Sequence, residues 1–291
     1  MWQDVEASIN QATGERFRVR ASYPVAGGCI NESAVLEDGG KRYFVKRNLA
    51  ALEGMFHAEA AALREIIATH SLGAPAPVAT GCDGKNSWLV LEYLDLTGTG
   101  GAAEAALGLG LARMHRHQAG AFGFHDSNFI GATPQPNNWH RDWVAFFGEQ
   151  RLHHQLSLAA QNGAGHSLLD AGERLLERLP GFFDRYTPLP SLLHGDLWGG
   201  NWAAEADGNP VIFDPAAYYG DREADLAMTE LFGGFGDRFY HSYRDAWDID
   251  PGYATRKVLY NLYHILNHFN LFGGGYERQA RDMIDRLLAE V

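Results

Sequence analysis

"LLHGDLWGGNW", residues 192–202, decides how this chain is read. Leu192 and Leu193 read as a buried strand or its edge, but the residues after them are too polar and Gly-rich to continue one. The chain therefore turns and presents His194, Asp196, Trp198 and Asn201. Asp196 and Asn201 lie five apart, and Asp214 comes thirteen later at the end of the apolar run "PVIFD". A carboxylate, an amide and a strand-ending carboxylate form a set of oxygen donors. Such a set can hold a hard divalent cation and take the proton of a hydroxyl.

Two upstream residues join this set. Glu59 falls at helical spacing from Leu52, Met55, Phe56, Leu63 and Ile66, which places a carboxylate on or beside an apolar stripe. Lys46 shares a strand face with Phe44 by the period of two. The two residues either form a strand-to-helix ion pair facing the cleft or both snorkel to water at the edge of the stripe.

Around these residues the first ninety positions read as strands plus one helix. "SAVLEDGGKRYFVKR" (33–47) carries a hairpin signal at Asp38-Gly39-Gly40, the helix covers 48–73, and a second hairpin turns at Asp83-Gly84 into the strand 87–94. Beyond the glycines at 98–101, the periods predict helices over 104–118, 139–160, 166–180, 222–232, 254–272 and 276–290, with short strands at "SLLH" and "PVIFD". The fold class expected is α+β and bilobal. A β-rich lobe over 1–94 meets a mainly helical lobe over 95–291, with a ligand cleft between them.

Composition narrows the function classes. The chain has 291 residues, 46% hydrophobic, and a formal net charge of −12, which argues against a nucleic-acid partner. No apolar run is long enough for a membrane span, and the first residues lack a signal-peptide pattern. Cys29 and Cys82 are the only cysteines, too few for a disulfide framework, so a reducing cytoplasm is the expected setting.

Asp-x4-Asn alone arises often by chance. Lys46, Glu59, His194, Asp196, Asn201 and Asp214 in this order match the phosphate-binding lysine, its glutamate partner, the catalytic loop and the metal-binding aspartate of kinase-fold enzymes. Further segments then resemble one family: "GGCINES", "YFVKRN", "PQPNNWHRDWVAFFGEQRL", "VIFDPAAYYGDREADLAMTELFGGF" and "LYHILNHFNLFGGGY" are similar to the fructosamine kinases, or ketosamine-3-kinases, from about residue 25 to the end. The Trp198-Gly199-Gly200 insert sets that family apart from aminoglycoside phosphotransferases and choline kinases, which share its fold.

The resemblance implies a protein-kinase-like fold and ATP-dependent, Mg²⁺-assisted phosphorylation of the 3-hydroxyl of a ketosamine. The product is unstable and releases its amine. It implies Asp196 as base, Asn201 and Asp214 as metal ligands, Lys46 and Glu59 at the nucleotide phosphates, and Glu92, Tyr93 and Leu94 beside adenine through their backbone. Two departures stand out. Asp221 replaces a His of the family pattern and is expected to alter the metal or substrate surroundings, and His57-Ala58-Glu59 replaces Glu-Gly-Glu while keeping Glu59.

Other residues keep two readings. "AGGCIN" (26–31) reads as a plain turn by itself, and as a loop over the phosphates through Gly27 and Gly28 once the resemblance is admitted. Cys29 is either an oxidisable thiol near those amides or a small buried residue. Trp198 either stacks on the substrate or packs. His264 and His268 are four apart, without a third ligand for zinc, and either line the acceptor pocket or meet water, with His268 the substrate candidate. His115, His117, His153 and His154 read as surface or packing residues. Three functions remain to be weighed against a ketosamine kinase: a kinase for another amine-bearing alcohol (an aminoglycoside or choline-like compound), a metal-dependent hydrolase using His194, Asp196 and Asp214, and a silent nucleotide-binding protein. The hydrolase leaves Lys46, Glu59 and Asn201 idle, and the silent protein leaves a full chemical set unused. Oligomeric state is not legible in the sequence.

Overall fold

The computed structural model describes residues 2–26 and 30–291. The glycine-loop residues Gly27, Gly28 and Cys29 lie outside the described residues. The first part of the chain runs α1 (Gln3–Thr13), β1 (Ala21–Val25), β2 (Glu32–Asp38), β3 (Lys41–Leu49), α2 (Glu53–Ala68), β4 (Pro77–Cys82) and β5 (Asn86–Glu92). Its five strands form one antiparallel sheet in the order β1-β2-β3-β5-β4. Both expected hairpins are present. Asp38 pairs with Lys41 across the Gly39-Gly40 turn, and Asp83 Oδ1 accepts the backbone N–H groups of Lys85 and Asn86 at 2.8 and 2.7 Å to shape the second.

Strand alternation divides the sheet's side chains between two helices. Leu36, Val45, Trp88 and Val90 pack with Val5 and Ile9 of α1, while Leu89 and Leu91 pack with Phe56, Ala60 and Leu63 of α2. Helix α1 is a correction to the reading of strands plus one helix. It buries only Val5 and Ile9, an i, i+4 pair, which is too little apolar signal to read from the sequence.

The remainder runs β6 (Leu96–Gly98), α3 (Ala102–Met114), β7 (Asn128–Ile130), β8 (Thr133–Gln135), α4 (Trp143–Phe147), α5 (His154–Gln161), α6 (His166–Arg178), β9 (Ser191–Leu193), β10 (Trp202–Glu205), β11 (Pro210–Ile212), β12 (Tyr218–Gly220), α7 (Glu223–Leu231), α8 (Asp237–Ala246), α9 (Tyr253–Phe272) and α10 (Tyr276–Leu288). One large core, including Leu107, Phe146, Leu175, Leu193, Phe239 and Leu266, holds these helices together. The helix expected over 139–160 starts later, where Asp142 accepts from Ala145 N at 2.8 Å. It is continued through a π-helical turn at Gly148–His153. Before that cap, His140 exchanges backbone hydrogen bonds with Phe122 and stays extended. Helix α8, which buries only Phe239 and Tyr243, is a further element that the periods do not predict.

The strands around the site are short. Strand β9 pairs with β12, while β6, β10 and β11 form a three-stranded sheet. Thus residues 96–98, just past the small sheet, already pair with the helical part of the chain.

Candidate active site

The stretch 192–202 runs from the end of β9 through the loop 194–201 to the start of β10. Gly195 has φ +82°, and a Cβ there would lie 2.1 Å from the carbonyl oxygen of Ala216, so only glycine fits. Asn201 Nδ2 donates to the Asp196 carbonyl at 2.8 Å and more weakly to Asp196 Oδ2 at 3.3 Å. Asn201 and Phe213 are joined by a backbone bond of 3.0 Å, which ties the loop to the end of β11.

His194 makes a second tie. Its Nε2 lies 3.0 Å from the Phe213 carbonyl and its Nδ1 accepts the Asp196 N–H at 3.2 Å, which assigns the proton to Nε2. Burial keeps the imidazole's pKa below its ordinary value and so neutral. His194 is therefore a brace between two loops, and both its ring nitrogens are used.

Asp214 comes after β11 with φ +58°, a left-handed conformation that aspartate tolerates better than most residues. Its Oδ1 accepts from Lys46 Nζ. Lys46 is 5% exposed and also donates to Glu59 Oε1 at 2.6 Å, so strand β3, helix α2 and the end of β11 meet at one ammonium. Burial alone would lower the Lys46 pKa, but the two carboxylates outweigh it and hold the group above its ordinary value. Pairing is the reading borne out for Lys46 and Glu59.

These groups share a cavity of about 780 Å³ between the small sheet and the helical part. Lys46, Glu59, Asp196, Asn201 and Asp214 line it, as do Glu92, Tyr93, Leu94 and Trp198. The Glu92 N–H is taken by Ala76 O at 2.9 Å, and the Tyr93 ring lies under the Arg42 guanidinium at 4.1 Å. Trp198 is half-exposed at the rim. Burial, followed by the negative charge of Asp214, pushes the Asp196 carboxyl up to about 7.

His268 does not line this cavity. It sits on α9 with its ring against Phe232, Phe272 and Tyr276 at centroid distances of 5.0, 5.6 and 5.2 Å. The Phe232 turn is next to the Trp198 loop, since a Cβ on Gly234 would lie 2.6 Å from Gly199 Cα. His264 is buried and pushed down to about 3 by that burial, so it carries no charge. His268 Nδ1 lies 2.7 Å from the His264 carbonyl, so that ring nitrogen is already used within the helix. Asp221 is a second correction: it is fully buried away from the cavity, accepting from Tyr186 and Tyr260 hydroxyls at 2.9 and 2.5 Å. The Asp221 carboxylate thus serves a buried hydrogen-bond group with Tyr186 and Tyr260.

Two residues escape the sequence reading. Asp225 on α7 accepts the backbone N–H groups of His194 and Gly195 at 2.7 and 2.8 Å, and so fixes the start of the loop that carries Asp196 and Asn201. His115, expected at the surface or in packing, is completely buried, with Nε2 3.1 Å from Asp225 and Nδ1 2.8 Å from the Tyr243 hydroxyl. A signal was available in "EADLAM": Asp225 stands among Ala224, Leu226 and Ala227, all buried, and a carboxylate there needs partners.

A family model described as fructosamine kinase matches residues 1–290. The chain belongs to the fructosamine kinase family. This family member is 47% identical over 288 residues to a probable ketoamine kinase of Synechocystis sp., covering 99% of this chain and 97% of that protein. It is 40% identical to a chloroplastic protein-ribulosamine 3-kinase of Arabidopsis thaliana, covering 94% and 85%. Among solved structures, a putative fructosamine-3-kinase from Haemophilus somnus aligns with TM-score 0.91, 28% identity and coverage of 99% and 98%. An aminoglycoside phosphotransferase in complex with ADP and hygromycin B aligns at TM-score 0.66 and 14% identity over 99% and 98%, which shows the shared protein-kinase-like fold alone. The fructosamine kinase chain is accordingly a phosphotransferase acting on an alcohol group. None of its described helices is long and apolar enough to cross a membrane.

Proposed function

We propose that the chain uses ATP to phosphorylate the 3-hydroxyl of a ketosamine, a fructosamine, ribulosamine or erythrulosamine adduct, after which the unstable product releases its amine. The observation that carries this reading is the convergence of Asp196 with the Lys46–Asp214 and Lys46–Glu59 pairs on one cavity. Lys46, kept cationic and aimed by Glu59, holds the nucleotide phosphates, helped by the Gly27-Gly28 loop, while the backbone of Glu92, Tyr93 and Leu94 meets adenine. Asp196 takes the proton of the acceptor hydroxyl. The hydroxyl oxygen then forms the new bond to the γ-phosphorus as the bond to the bridging oxygen breaks and ADP leaves.

The donor set suits Mg²⁺. Asn201 has its amide nitrogen turned to the Asp196 carbonyl, and its Oδ1 accepts no hydrogen bond among the described residues. Asp214 adds a carboxylate, so Asn201 and Asp214 would hold the ion together with phosphate oxygens. When bound, such an ion neutralises charge on the phosphates. Trp198 at the rim would stack on the sugar or adduct of the acceptor, while His268, packed against Phe232 outside the cavity lining, is given no contact with it. The lobes divide at 94/95, where β5 has ended and β6 joins the larger part. The partner is a small molecule in a reducing cytoplasm, with neither nucleic acid nor membrane involved.

The test is ATP consumption with Mg²⁺ across ribulose-, erythrulose- and fructose-lysine, an aminoglycoside and choline. Turnover of a ketosamine with phosphate on its 3-oxygen supports the reading. Turnover of the aminoglycoside or choline alone would replace it with a kinase for another amine-bearing alcohol.

A further inference from the structure

Helix α2 carries Glu59, and one of its later residues touches the helical lobe. Tyr219 donates its hydroxyl to Glu65 Oε1 at 2.6 Å. Glu65 comes six positions after Glu59, roughly 9 Å along the helix and on a different face, so the two carboxylates serve different partners. On the same helix Ala62 and Ile66 are completely buried in the core of the larger lobe, while Phe56, Ala60 and Leu63 pack on the small sheet.

Tyr219 is itself rigidly held. Its backbone N–H and C=O both bond Gly123, at 2.8 and 3.0 Å, and it stands opposite Leu192 in the β12–β9 pair. Strand β9 runs directly into His194 and Asp196. The ring lies near Trp139 and Phe124, at 6.2 Å from each. Burial and the Glu65 carboxylate keep the hydroxyl above its ordinary pKa, so it remains a donor.

We propose that Tyr219 and Glu65 are positioning residues for phosphoryl transfer: their hydrogen bond clamps α2 to β12, the partner of the strand that leads into the catalytic loop, and keeps Glu59 on Lys46. The proposal rests on the reading of Lys46 as the residue that holds the nucleotide phosphates. A small rotation of α2 would move Glu59 away from the ammonium, and misplacement of about 1 Å is enough to cost rate. The clamp therefore acts before the nucleotide arrives, and it acts on ATP use rather than on the acceptor.

The experiment combines kinetics with hydrogen exchange on the full chain. Tyr219→Phe and Glu65→Ala should each lower kcat/KM for ATP about tenfold with the acceptor KM unchanged, the size expected for a hydrogen bond to a charged group. The double variant should lose no more than either single one. Glu65→Gln, whose amide oxygen still accepts the hydroxyl, should retain most of the rate. Amides of α2 should exchange about tenfold faster in Tyr219→Phe, and adding Tyr219→Phe to Lys46→Ala should cost nothing further. Unchanged exchange in α2, additive losses, or a full further loss in the Lys46→Ala background would overturn the clamp. Normal ATP kinetics in Lys46→Ala would instead remove the nucleotide reading of Lys46, and the clamp's purpose with it.

Discussion

As the proposed base, Asp196 has to be ionised to accept a proton, yet burial and the Asp214 charge hold its carboxyl at about 7. A base poised near the working pH combines a useful ionised fraction with a real affinity for the proton. The active, deprotonated fraction grows as pH rises, so kcat/KM for the acceptor should climb with an ascending limb centred near pH 7. A profile flat from pH 5 to 8 would remove Asp196 from that role. The same shift has a stability consequence. The folded carboxyl titrates near 7 and the unfolded one near 4, so the folded state binds the proton more tightly. Its stabilising contribution is complete below about pH 4 and lost as pH rises through about 7. Asp196→Asn should therefore melt higher than the parent at pH 8, by about 2–4 °C per kcal/mol relieved, with the gain gone at pH 4. Thermal scans at the two pH values check this. Most of the candidate site was legible at this scale, because Lys46, Glu59, Asp196, Asn201 and Asp214 are chemically costly residues in apolar or turn settings. His268 was legible only as a residue type, since helical spacing does not say which neighbour its ring meets.

Between residues and lobes, short elements place the site. The loop that carries Asp196 leaves β9 at His194, where Asp225 of α7 accepts two backbone N–H groups and is held in turn by His115, which caps α3. Burial works to raise the Asp225 carboxyl's pKa, but these partners outweigh it and keep the group below its ordinary value. Asp225→Ala leaves those donors buried and unpaired. It should cost about 3–5 kcal/mol and strongly lower kcat, read by denaturant unfolding and steady-state rates. An effect on rate with no loss of stability would mean that Asp225 touches the chemistry by another route. The sequence did not reveal this anchor because its parts lie far apart along the chain and only packing unites them. Strand β9 was readable as "SLLH", but strands of three residues such as β7, β8 and β12 are shorter than any period can register, and α1 and α8 bury too few side chains to stand out.

The two lobes do not have wholly separate cores. Helix α2 places Phe56, Ala60 and Leu63 against the small sheet and Ala62 and Ile66 inside the larger core, while Lys46 bonds across the cleft to Asp214. Coupling of this kind should give one cooperative calorimetric transition. Two resolved transitions, the first confined to residues 1–94, would show that the lobes unfold independently. The bilobal plan itself was readable from the change of hydrophobic period after residue 98. The shared helix was not, because a stripe that faces two cores looks the same in sequence as a stripe that faces one.

The central claim, that Asp196 drives phosphate transfer to a ketosamine hydroxyl, is tested most directly by pairing Asp196→Asn with the parent chain on the preferred ketosamine. Product is monitored by phosphorus NMR and nucleotide binding by calorimetry. The account predicts 3-phosphate formation by the parent, a loss of at least about a thousandfold in the variant, and ATP affinity within about threefold of the parent. Near-normal turnover by Asp196→Asn would contradict it.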